Sequence, residues 1–338
     1  MSGKAGSGKS TLVKRLVGHS RTRELLRKWA DGGLYNLASF FFWYHGTLEQ
    51  QSQEGLSRSL LHQILSQYPS VIPEALPGMW KELSRNPDDQ ISLPSPGETR
   101  HAFRILASKS SELGKFCFFI DGLDEFTGDY RDAIAFIKEL TVNPGIKAVA
   151  SSRPIPECVA GFENCPKLRL QDLNRRDIAT YVDDTIGSHI YMRKLLSRYP
   201  VHAQQLRDEI VQKSSGVFLW VVLACRSLCS GFADRDQIAE LRRRVEELPP
   251  ELEDMFKLML SKIDKRHRKE GAFLLRLCYE FYAMNYGDRR RALGHEHEFL
   301  ETLGLAILVR LDNGQHGADY YRRLSATEKG ELCEEFAG

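Results

Sequence analysis

Near the amino end, Gly3, Lys4, Ala5, Gly6, Ser7, Gly8, Lys9, Ser10 and Thr11 fill the pattern G-x-x-x-x-G-K-[ST], with Gly3, Gly8, Lys9 and Ser10 at its fixed positions. The chemistry such a run can do is anion binding. Glycines let the backbone curl until successive N–H groups point at one oxyanion. Lys9 brings a point charge for β- and γ-phosphates, and the Ser10 hydroxyl offers a ligand to Mg²⁺. The next residues, 12–17, read as a helix, so the anion would sit on a helix N-terminus.

A second chemical group follows more than a hundred positions later. Five apolar residues, Phe116, Cys117, Phe118, Phe119 and Ile120, run into Asp121, Gly122, Leu123, Asp124 and Glu125. A buried strand of this kind delivers Asp121 to its C-terminal end, where ligands bind in open α/β sheets. Asp121 can hold Mg²⁺ directly or through water. Asp124 or Glu125 can polarise an attacking water. A third strand, 146–150, ends in Ser151, Ser152 and Arg153. Arg153 is placed to reach a γ-phosphate, to pair with Asp124 or Glu125, or both.

The elements that must position these groups alternate. Residues 11–30 read as a helix and the aromatic run 37–44 as a buried parallel strand. Residues 54–67 carry Leu56, Leu60, Leu61, Ile64 and Leu65 at helical spacing. Six of the 13 prolines fall in 68–100, which reads as a surface excursion with a short helix around Trp80. Helices are expected at 99–113 and 130–141, strands at 115–121 and 146–150, and a short fourth strand at 168–170. Asn174 then reads as the cap of a helix carrying Ile178, Tyr181 and Val182. Beyond it the pattern is helical only, at 204–213, 215–230, 235–246, 250–264 and 267–285. Residues 295–311 are apolar and ambiguous, 312–314 is a turn signal, and the tail is acidic and frays.

Composition places the chain among soluble globular proteins: 42% hydrophobic and 27% charged over 338 residues. Lys and Arg number 47 against 45 acids, a net charge of +2, so no global field argues for a nucleic-acid or membrane partner. Local basic runs such as Arg242, Arg243 and Arg244 read as solvated helix faces. Seven cysteines without a CxxC pair, several in apolar runs, suggest reduced thiols in the cytoplasm. No apolar run approaches the length of a membrane span.

The three motifs in this order resemble the NACHT branch of the STAND P-loop NTPases, in the fungal NLR-like form grouped with nephrocystin-like N-terminal modules. The resemblance rests on 3–11, 38–43, 54–61, 121–125, 151–154 and 216–221, and covers about 1–265. It implies an α/β fold with a P-loop NTPase parallel sheet of the ASCE type, followed by an all-helical region. It divides the chain into a NTPase domain at 1–172, a helical lid at 173–248 and a second helical, truncated winged-helix-like region at 249–338. The activity it implies is a signalling switch that exchanges ADP for ATP, GTP being possible too, with Mg²⁺ and slow hydrolysis. It places such proteins in self/non-self recognition and programmed cell death. Carried over, residues 3–11 bind the nucleotide, Ser10 and Asp121 hold the metal, Asp124 or Glu125 orients water, and Arg153 senses the γ-phosphate.

The resemblance also implies a strand directly ahead of the phosphate loop, lying between 168–170 and 146–150. Only Met1 and Ser2 precede Gly3, so a gap with exposed ladder groups is expected there. That makes a fragment the expectation, truncated at both ends. The alternative function is accordingly a hydrolysis-incompetent piece that acts by homo- or hetero-oligomer formation with related NACHT proteins.

Overall fold

Strand β2 (Lys115–Asp121) is the centre of a parallel three-stranded sheet in the order β1-β2-β3, with β1 at Tyr35–Phe41 and β3 at Ile146–Ala150. Every β2 residue after Lys115 is buried, because β2 has neighbours on both sides and cover on both faces, which is why its sequence is continuously apolar. β1 alternates instead: Asn36, Ala38 and Phe40 are buried and the residues between them are half-buried. The register pairs Phe41 with Asp121 and Ile120 with Ala150, so all three strands end at one edge. The structure is a computed structural model and describes residues 1–85, 92–233, 237–261, 263–269 and 271–276.

One face of the sheet carries the main core. Phe116, Phe118 and Ile120 meet Leu56, Leu60 and Ile64 from α3 (Gln53–Leu65), Phe103 and Leu106 from α4 (Pro96–Ser108), and Phe136 and Ile137 from α5 (Tyr130–Leu140). The helix starts are built as the sequence dictates. Ser52 Oγ accepts from Gly55 N–H, and Ser95 and Glu98 form a reciprocal capping box. The opposite face is thinner. Val13 of α1 (Lys9–Gly18) and Leu26 of α2 (Ser20–Trp29) pack on Cys117 and Phe119. Gln63 of α3 closes the outer edge of β1, its amide pairing with both the N–H and the C=O of Ser39 as a peptide would.

Several expectations need correction. Residues 11–30 form two helices rather than one, because His19 turns extended (ψ 136°) and its ring caps α2 at Arg21 N–H. The first strand of the sheet begins two residues earlier than read and ends at Phe41. The proline-rich stretch is largely helical: Pro69, Pro73, Pro77 and Pro96 start helical turns, where a missing N–H costs nothing. The fourth strand at 168–170 is absent among the described residues. Arg169 makes one isolated bridge, and Leu170 already opens a helical turn, Leu170–Leu173.

The expected gap beside β3 is entered by the chain itself. Ser2 bridges Ser152 on one side and Arg169 on the other, both in parallel. Ser2 N–H donates to Leu168 O and Leu170 N–H to Ser2 O, each at 2.8 Å. The Met1 nitrogen donates to Ala150 O at 2.6 Å. Past the buried Ile146, β3 stays thinly covered: Lys147 is exposed and Ala148, Val149 and Ala150 are half-buried.

The chain divides into two compact units, one of Met1–Tyr44 with Leu48–Phe256 and one of His45–Thr47 with Lys257–Gly338. After the sheet the first unit is helical, with α6 (Arg175–Val182), α7 (Pro200–Lys213), α8 (Phe218–Ala233) and α9 (Ile238–Glu246). The apolar run at 217–225 is the start of α8, with Trp220 fully buried and its indole N–H on Pro249 O. α10 (Leu252–Ser261) follows. Residues 295–311, the turn at 312–314, the acidic tail and the helix reading beyond 276 lie outside the described residues.

Candidate functional site

The parallel strands bring their C-terminal ends together, and the Ser2–Ser152 bridge sets residues 3–8 along that same edge. The turn is built on glycine. Gly6 (φ 69°) and Gly8 (φ 93°) are left-handed, a conformation L side chains rarely adopt. A Cβ on Gly8 would meet nothing within 4 Å, so the space beside Gly8 is open. A Cβ on Gly6 would strike Leu252 Cδ1 at 2.7 Å, so its other side is packed. Gly8 is the N-cap of α1 and no side chain caps that helix, leaving its first-turn N–H groups for an anion. Lys4, Ala5, Ser10 and Thr11 are exposed.

Lys9 folds over the turn, its Nζ donating to Gly3 O at 2.8 Å and to Lys4 O at 3.1 Å. Burial holds its ammonium below the ordinary lysine range. Asp124, Asp121 and Glu125 pull it back up and Arg153 pushes it further down. Lys9 therefore feels the charges of Asp121, Asp124, Glu125 and Arg153, which the strand ends carry.

Asp121 is 2% exposed and accepts a short hydrogen bond from Ser151 Oγ. Gly122 N–H points at the same hydroxyl from 3.4 Å. Gly122 itself is left-handed (φ 74°), and a Cβ there would press on Phe42 O at 3.0 Å. Residues Leu123–Glu125 form a single 3-10 turn. Arg153 N–H donates to Asp124 Oδ1 at 2.8 Å and its Nε lies 2.9 Å from Oδ2. Glu125 Oε2 accepts from Tyr44 N–H at 3.0 Å. Arg153 is therefore paired with Asp124, one of the two acids open to it in the sequence.

Two residues here were not assigned to the site from sequence. Ser151 follows directly on β3 and so stands beside Asp121 in the sheet; the signal was that parallel register. Asn174 reads as an ordinary helix cap, and its backbone does precede α6, but its side chain makes no capping bond. Its Nδ2 donates instead to Gly216 O at 2.7 Å and to Ser7 O at 3.4 Å.

A parallel α/β sheet whose strand ends carry a glycine turn, a lysine and a buried aspartate is compatible with the P-loop NTPase-like class. Residues 1–153 match the family model described as Nephrocystin 3, N-terminal. The chain is also 24% identical over 299 residues to vegetative incompatibility protein HET-E-1 of Podospora anserina. That match covers 86% of this chain and 20% of the relative, so the chain spans about a fifth of that protein's length. Over residues 1–153 the chain is thus similar to a NACHT/nephrocystin-like module.

Proposed function

We propose that the chain is a nucleotide-binding signalling switch of the NACHT/STAND type, taking ATP and ADP, with GTP not distinguished, and Mg²⁺. The observation that carries this reading is the meeting of Lys9 with Asp121, Asp124, Glu125 and Arg153 beside an open glycine turn at a helix N-terminus. Ser10 and Asp121 supply hard oxygen donors of the kind Mg²⁺ takes. Residues 3–11 would hold the phosphates, whose charge would offset the desolvation of the half-buried Lys9 ammonium. The bound metal would neutralise phosphate charge. Arg153 is positioned to exchange Asp124 for a γ-phosphate, which is how it would report one. An ASCE-type sheet and a cytoplasmic setting belong to the same reading. Self/non-self recognition or programmed cell death follows from the likeness to a vegetative incompatibility protein.

A second reading has its own observation. Asp124 is taken up by both the N–H and the guanidinium of Arg153, and Glu125 by Tyr44 N–H. With both carboxylates so engaged, the arrangement favours binding without hydrolysis, and action through pairing with related chains. Titration of a fluorescent ATP analogue, with turnover followed in parallel, separates the two. The switch reading predicts Mg²⁺-dependent binding with slow phosphate release, and loss of the Mg²⁺ dependence in Asp121→Asn. Binding with no release supports the second reading, and no binding contradicts both.

A further inference from the structure

Asn174 does something a helix cap does not need to do. It stands between the turn Leu170–Leu173 and α6, where an asparagine side chain ordinarily accepts from a first-turn N–H. Here its amide nitrogen faces two carbonyls, Gly216 O and Ser7 O. Both are acceptors only, so the nitrogen must be the end that meets them. The residue is 5% exposed, and among the described residues its Oδ1 has no hydrogen-bond partner; neither has the Ser7 hydroxyl or Gln171 Oε1. Buried polar atoms left in this state are a cost that packing alone does not explain. The junction is also tight: a Cβ on Gly216 would strike Gln171 Cβ at 2.4 Å.

The peptide geometry gives the contact a consequence. In a trans peptide the C=O and the following N–H point in opposite directions. Holding Ser7 O against Asn174 therefore turns Gly8 N–H away from the helices, toward the open side of the glycine turn. The preceding peptide is held in the same way, with Leu219 N–H, from the first turn of α8, donating to Gly6 O at 2.9 Å. Two consecutive carbonyls of the anion-binding turn are thus held by the helical part of the unit. A donor on a carbonyl also polarises that peptide and strengthens its N–H as a donor.

We propose that Asn174 is a positioning residue that couples anion occupancy of the 3–8 turn to the seating of α6 and the start of α8. This rests on the nucleotide reading above. Binding that favours the turn's present shape favours the Asn174 and Leu219 bonds, and by linkage those bonds favour binding.

The test uses the full chain and Mg²⁺-ADP as probe, with affinity by calorimetry and amide exchange by mass spectrometry. In the wild type, ADP slows exchange both at 3–12 and at 216–225. In Asn174→Asp, which is isosteric but cannot donate, affinity falls about 5–50-fold. At saturating ADP the 3–12 segment is still protected, while less than half of the protection at 216–225 remains. Asn36→Asp serves as the control for simple loss of a buried amide, since Asn36 donates to Leu113 O away from the site; its ADP response stays as in the wild type. Asn174→Ala gives the same reading if Asn174→Asp does not fold. Wild-type affinity and wild-type protection at 216–225 in both Asn174 variants would overturn the coupling alone. Absence of ADP binding by the wild type would overturn the nucleotide reading and the coupling with it.

Discussion

Arg153 and Asp124 meet at two points, the backbone N–H of Arg153 at 2.8 Å from Oδ1 and its Nε at 2.9 Å from Oδ2. The pair is lopsided: the Asp124 side chain is 7% exposed and that of Arg153 is 54% exposed. Removing the exposed partner keeps the backbone N–H bond to the buried carboxylate and loses one side-chain bond, so Arg153→Ala should cost about 1 kcal/mol. Removing the buried partner orphans the Arg153 N–H and the cation together, so Asp124→Ala should cost about 1–3 kcal/mol. Chemical denaturation of the two variants checks the order, and a larger loss in Arg153→Ala would refute it.

Ser151 supplies the hydroxyl that Asp121 accepts. Ser151→Ala leaves a buried carboxylate without that donor, at a cost of about 1–3 kcal/mol. It should also weaken Mg²⁺-dependent nucleotide binding while leaving metal-free binding nearly as it was. Ser151→Thr, which keeps the hydroxyl, should restore most of the Mg²⁺ dependence. A variant whose two affinities fall equally would show that Ser151 does not act through Asp121.

Buried thiols set an alkaline limit. Burial pushes the Cys117 thiol up to about 11 and Cys225 up to about 12, from an unfolded value of 9.0. Below pH 9 both states are protonated and nothing is lost. Between pH 9 and those values the unfolded thiols ionise and the folded ones do not, so stability falls as pH rises. The slope is about 1.4 kcal/mol per unit of pH for each such group. The measurement is urea unfolding from pH 8 to 10.5, with Cys117→Ala and Cys225→Ala each predicted to flatten the decline. For the same reason, alkylation at pH 8 should label the exposed Cys165 well before Cys117 or Cys225.

The lane beside β3 depends on main-chain bonds from Ser2. Ser2→Pro removes the N–H that reaches Leu168 O, which should cost about 1 kcal/mol or more. Ser2→Ala keeps both bonds and should lie within about 0.5 kcal/mol of the wild type. Equal stability of the two variants would mean that the bridge does not hold the turn to the sheet.

Some of this was legible in the sequence and some was not. β2 and β3 could be placed to the residue: five apolar residues running into Asp121 have few other readings, and β3 opens directly after the turn residues Asn143, Pro144 and Gly145. Their parallel order put Asp121 and Arg153 at one edge, and the glycine turn announced itself by spacing. The break at His19 was hidden, because a polar residue inside a helical pattern looks like a solvated position until its ψ is known. The prolines at 69, 73, 77 and 96 were read as loop formers, although a proline in a first turn starts a helix as readily as it ends one. The apparent strand at 168–170 was only an alternation of side chains: one residue pairs, and the next begins a turn. Asn174 shows the limit of local reading. Its backbone role was visible, whereas its side chain answers to Ser7, 167 positions away, and no local pattern carries that information.

The most direct test of the central claim is calorimetric binding of ATP to the full chain, wild type beside Lys9→Ala, with Mg²⁺ and without. The account predicts binding by the wild type that strengthens with Mg²⁺ and is lost in Lys9→Ala. Equal affinity of the two proteins would take Lys9 out of the site and contradict the account.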